Sequence, residues 1–146
     1  MPALPRRADR VVRVYAGAVA LACLGLLVMA GALDPSPAGH GTHEQLGLPP
    51  CGWALAYGRP CPTCGMTTAF AAAADGDLIT AFIAQPFAAL LALATAAAFW
   101  IGAYVALTGS RLARAFVPLL RPRALWVIAG AWGVSWAYKL VTWPGL

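Results

Sequence analysis

The sequence predicts an all-α membrane protein. It has three transmembrane helices, with two short outward-facing interfacial helices between the first and the second. Three observations predict this. The 146-residue chain is 61% hydrophobic, 10% charged and has a mean hydropathy of +0.73, whereas soluble domains are about 45–50% apolar and about 25% charged. Three apolar runs reach the ~20 residues needed to cross a bilayer. Nearly all of the charges lie outside those runs. At this length, residues 1–146 form one integral membrane domain.

The first run spans about residues 11–33. The second, 86–108, opens on Pro86, which suits the first turn of a helix because proline has no amide hydrogen to leave unpaired. The third covers about 124–142. Gly102, Gly130 and Gly133 are tolerable inside such spans. Arg6, Arg7 and Arg10 precede the first span and Arg13 lies in its first turn. Arg111, Arg114, Arg121 and Arg123 fill the loop between the second and third. Segment 34–85 carries only Arg59, against Asp34, Glu44, Asp75 and Asp77. The positive-inside rule therefore places the N-terminus in the cytoplasm, with 34–85 and the C-terminus facing outward from the inner membrane. Trp53, Tyr57, Trp136, Tyr138 and Trp143 then fall near the outer interface, as an aromatic belt does. The net charge of +5 reads as a topology signal. No basic groove interleaved with aromatics is visible, so nucleic acid is not an expected partner. The expected partners are the lipid bilayer and either another membrane protein or a second copy of the chain.

A cleaved signal peptide is the rival reading of the first run, since Ala30-Gly31-Ala32 is A-x-A-like. Its apolar core exceeds the usual 7–15 residues, which favours an uncleaved anchor. Cys23, inside that run, reads as a small packing residue.

Residues 34–50 are rich in proline and glycine and read as irregular loop. From Cys51 to Tyr57 the chain allows one or two turns on the membrane surface, broken by Gly58-Arg59-Pro60. Cys61 then stands where a helix N-cap would, with Pro62 at the first helical position and Met66–Ala74 continuing as good helix formers. Asp75-Gly76 ends that helix. Asp77 caps a short helix, Leu78–Ala84, and Gln85-Pro86 breaks again into the second span. Backbone at this depth must be covered by protein.

The chemistry concentrates in Cys61-Pro62-Thr63-Cys64-Gly65. Three readings are open. In a metal site the knuckle aims two thiolates at one point, and the glycine lets backbone amides approach sulfur. Zinc wants four ligands: Cys61 and Cys64 give two, Cys51 a third, and His43 or His40 a fourth. No second CxxC is present. In a redox site, a helix start would stabilise the Cys61 thiolate, with Cys64 or Cys51 as the resolving thiol. No thioredoxin-like βαβ pattern accompanies it. In the third reading two of the thiols form a disulfide that staples a loop of about ten residues, worth roughly 2–3 kcal/mol.

Other candidates are weaker. Thr67 and Thr68 could bond a ligand, or bond back to the carbonyl one turn earlier. Asp75 and Asp77 could hold a cation, but helix stop and start already explain them. Lys139, near the outer end of the third span, is expected to snorkel to the interface or to pair with Asp75 or Asp77. No phosphate loop, Ser-His-Asp order or catalytic carboxylate pair occurs.

Cys51, Tyr57-Gly58, Cys61 to Thr67, Ala69, Gly76-Asp77-Leu78, Ala81 and Gln85-Pro86 carry a resemblance. Residues 51 to about 90 resemble a domain-of-unknown-function family of small bacterial membrane proteins marked by C…CPxCGxTRA…GDl…NP. The chain departs at Thr68, where the pattern has arginine, and at Gln85, where it has asparagine. The resemblance implies a small polytopic membrane protein and brings no activity. The expectation is a non-enzymatic accessory or binding protein whose knuckle and Cys51 form a disulfide or zinc site. The alternative is a membrane thiol–disulfide oxidoreductase.

Overall fold

The computed structural model describes residues 9–112, 121–143 and 145. Among them are six α-helices and no strand: α1 (Arg10–Gly31), α2 (Gly52–Tyr57), α3 (Met66–Ala74), α4 (Leu78–Ala84), α5 (Pro86–Thr108) and α6 (Pro122–Val141). Helices α1, α5 and α6 are long and apolar enough to cross a membrane, which makes this a multi-pass membrane protein. Arg6, Arg7 and Arg114 lie outside the described residues.

Helices α1 and α5 form the tightest pair. Small residues let their backbones approach, as membrane packing favours when lipid already satisfies apolar surface. A Cβ on Gly102 would lie 2.8 Å from the Ala16 carbonyl oxygen and 3.2 Å from Ala20 Cβ. At the far end of the hairpin Arg13 donates to the Ala106 and Leu107 carbonyls at 2.9 and 3.1 Å. These are orphan acceptors at the end of α5.

Between α1 and α5 the chain builds a cap. Its core is almost all alanine: Ala69 and Ala72 of α3, Ala81 and Ala84 of α4, and Ala88 and Ala89 of α5, flanked by Met66 and Phe70. Alanine costs no side-chain entropy and brings helix backbones close. Asp77 caps α4 by accepting from Thr80 N at 3.0 Å. Gln85, fully buried, caps α5 by accepting from Ala88 N at 2.7 Å.

Three details differ from the sequence reading. The 34–50 loop contains a 3₁₀ turn, Thr42–Leu46, bracketed by Gly41 and Gly47 in the left-handed region (φ 85° and 75°). The cap therefore holds this turn and the short α2 beside the two expected short helices, α3 and α4. Helix α3 starts at Met66, not near Cys61, because Gly65 has φ 87° and a helix cannot run through a left-handed residue. Lys139 does not snorkel or meet Asp75 or Asp77: it is 4% exposed and donates to the Gly39 and Ala84 carbonyls at 3.0 Å each.

Candidate functional site

Two chain segments bring three thiols together. Cys51 immediately precedes α2. Cys61 and Cys64 flank a turn closed by Cys64 N donating to Cys61 O at 3.0 Å. A second turn bond, Met66 N to Thr63 O at 3.1 Å, carries the knuckle into α3. The three Sγ atoms all lie within 4.8 Å of one another. None is bonded to another. Cys23, half-buried in α1, is outside the cluster.

The knuckle is fixed from behind. A Cβ on Gly65 would lie 2.8 Å from Gly39 O, 3.0 Å from Ala84 O and 3.3 Å from Lys139 Nζ. Loop, α4 and α6 therefore all converge on the one residue that must lack a side chain and must adopt positive φ. Thr63 Oγ1 sits 3.3 Å from Cys61 Sγ.

The thiols are not equivalent. Cys64 is 7% exposed. Burial pushes its pKa up to about 12; negative charge on Cys61 and Cys51 adds to the rise, and the Lys139 charge opposes it. Cys51 lies below its ordinary value: burial works against this, but the Ala54 amide, the Cys61 side chain and amide, and the Trp53 amide together outweigh it. A metal ion here would displace the Cys64 proton, so its affinity rises with pH.

A cavity of about 350 Å³ opens on the thiols, lined also by His43, Thr63, Met66 and Thr67. The structure thus separates the two histidines. His43 shares the cavity, its Nε2 3.2 Å from Pro49 O. His40 instead stacks on Trp143, ring centroids 4.5 Å apart. Burial first, then the Lys139 charge, lowers its pKa. Thr67 faces the cavity, while Thr68 is buried and shares a 2.8 Å hydrogen bond with Thr42 Oγ1. Neither alternative drawn from the sequence describes Thr68: it ties α3 to the 3₁₀ turn, whose Thr42 in turn accepts from Ser36 N at 3.0 Å. Asp77 is committed to Thr80, whose hydroxyl and amide lower its pKa. It is not part of the thiol cluster.

Sequence reasoning named Lys139 but gave it the wrong place: it closes the back of the site, its Nζ on the Gly39 and Ala84 carbonyls. It missed Ser135 of α6, which accepts from Phe87 N at 3.0 Å, satisfying an orphan amide of α5. An isolated lysine and a serine within an apolar span were the available signals.

Residues 51–100 match the family described as "Protein of unknown function (DUF2752)". This is the stretch from Cys51 through the knuckle, α3 and α4 into α5. No curated protein and no solved structure matches the chain.

Proposed function

We propose that this is a non-enzymatic membrane protein whose three-cysteine cluster holds a metal ion of the zinc type and so rigidifies an outward-facing cap that a partner or small ligand docks on. The observation that carries this reading is the convergence of three unpaired Sγ atoms within 4.8 Å. Tetrahedral zinc–thiolate bonds of about 2.3 Å place their sulfurs within such a distance. Cys51, Cys61 and Cys64 are the ligands in this reading, and His43, on the same cavity, is the fourth. His40 has no part in it. The charge pattern supports inner-membrane placement with the N-terminus cytoplasmic and 34–85 outside: Arg10, Arg13, Arg111, Arg121 and Arg123 gather away from the cap.

One observation favours thiol–disulfide exchange as the second reading. Cys51 is the thiol whose pKa is lowered, so it would be the attacking thiolate. Against this, α3 begins beyond Gly65, which removes the helix terminus that would have activated Cys61.

Metal analysis of purified protein, combined with a count of alkylatable thiols, decides between them. The expected result is one zinc per chain and three further reactive thiols after chelation. A metal-free protein with a cluster disulfide overturns the reading. Cys51→Ser is expected to weaken zinc binding by more than about 100-fold, beyond the loss typical of residues outside the coordination sphere, as read by chelator competition.

A further inference from the structure

Lys139 is the only lysine of the chain and sits within a transmembrane helix. Its ammonium is inside the protein, held by the carbonyls of Gly39 in the loop and of Ala84 at the end of α4. No carboxylate of a described residue pairs with it; the ionisable groups near it are Cys64 and His40, and of these only Cys64 can carry a negative charge. A buried charge normally persists only with a counter-charge, because hydration is lost and carbonyl dipoles replace only part of it. A neutral trithiol offers none. The same ammonium lies against Gly65, the residue that follows Cys64.

We propose that Lys139 provides the balancing positive charge for a divalent ion held by the Cys51, Cys61 and Cys64 thiolates. The proposal rests on the metal reading and adds the charge of the ion and a residue to it. Three thiols lose three protons to water as the ion binds. Three thiolates and a divalent ion sum to −1, and Lys139 brings the unit to zero. A monovalent ion would leave a net −1 beside the membrane. The protein thus prefers a divalent ion by charge, where sulfur ligands alone would equally accept soft monovalent ones. Lys139 touches no ligand electron pair. It is a positioning residue whose two carbonyl bonds fix the distance between its charge and the knuckle.

The single lysine makes the test direct. Full-length protein carrying isotope-labelled lysine is placed in lipid nanodiscs and titrated with zinc while a chelator reports binding. Zinc binding at one equivalent is expected to move the lysine side-chain resonance and to leave the group protonated. Lys139→Met is expected to retain helicity and bind zinc about tenfold more weakly or worse, as losses of outer groups do, and Lys139→Arg to recover most of the loss. If wild-type protein binds no zinc, the metal reading falls and takes this proposal with it. If it binds one equivalent while the lysine signal stays still, or if a folded Lys139→Met variant binds as tightly as wild type, the charge-balance proposal alone is overturned. Should the methionine variant fail to fold, the wild-type lysine resonance decides by itself.

Discussion

Helices α1 and α5 hold each other chiefly by shape, whereas α6 is held by hydrogen bonds. The α1–α5 contact buries small residues, with the Gly102 backbone against Ala16 and Ala20. The attachments of α6 sit on Ser135, Trp136, Tyr138 and Lys139. Trp136 Nε1 donates to Pro60 O at 3.2 Å and Tyr138 Oη to Ile83 O at 3.1 Å. The other half of α6 turns Leu125, Trp126 and Val127 outward. Lipid competes on equal terms for apolar side chains but offers no partner for a carbonyl in the cap, so close packing and polar bonds are the two means of fixing a span. The α1–α5 pair relies on close packing, with Arg13 as a polar clamp at its far end, and α6 relies on polar bonds.

The comparison can be broken most severely at Gly65. Gly65→Ala places a methyl against Gly39 O and Ala84 O at a left-handed position. It is expected to cost roughly 3 kcal/mol, from backbone strain of about 1–2 and overpacking of about 1–3 kcal/mol. The cap should loosen and its thiols alkylate faster while α1 and α5 stay helical. In the hairpin, Gly102→Val should cost about 1–3 kcal/mol by forcing α1 from α5, read as a lower midpoint of thermal unfolding.

Alkali tests the cap without mutation. The Cys64 pKa in the folded metal-free protein, about 12, exceeds its ordinary 9.0. Unfolding then releases a proton, so stability is fully present below 9.0 and falls as pH rises toward 12, by at most about 1.4 kcal/mol per unit. Melting curves of metal-free wild type across this window should show the decline, and Cys64→Ala should flatten it. Trp136→Phe removes one polar bond of α6 and leaves Pro60 O without that donor. A loss of about 1 kcal/mol is expected in the same unfolding measurement. At the far end, Gly130→Ala meets nothing within 4 Å, and a change within about 0.5 kcal/mol is expected. A large effect there would mean that a partner covers this half of α6.

Local chemistry was legible in the sequence. The span at 86–108, the helix Leu78–Ala84, the end of α3 at Asp75-Gly76 and the Asp77 cap follow from hydropathy, breakers and caps, and the structure has them at those bounds. Cys51 and the knuckle were legible as a group because their residue types are rare and their turn is short. What escaped depends on residues far apart. The knuckle accounts for the backbone freedom of Gly65, but nothing near it reveals that it must lack a side chain, since the atoms that crowd it belong to Gly39, Ala84 and Lys139. The partition of the histidines, His43 to the cavity and His40 to Trp143, depends on how the 3₁₀ turn docks. The Thr42–Thr68 bond likewise joins segments that hydropathy cannot relate.

The bonds that seat α6 also order events in time. Lys139 reaches Gly39 across 100 residues and Ala84 across 55, and Trp136 reaches Pro60 across 76. Closing such long loops is slow, and a ribosome releases the N-terminal partners first. The acceptors on the cap must be in place before the last span has anything to bind. A chain stalled or truncated before residue 135 would complete its α1–α5 hairpin and leave the rear of the cysteine site open to thiol reagents until α6 arrives.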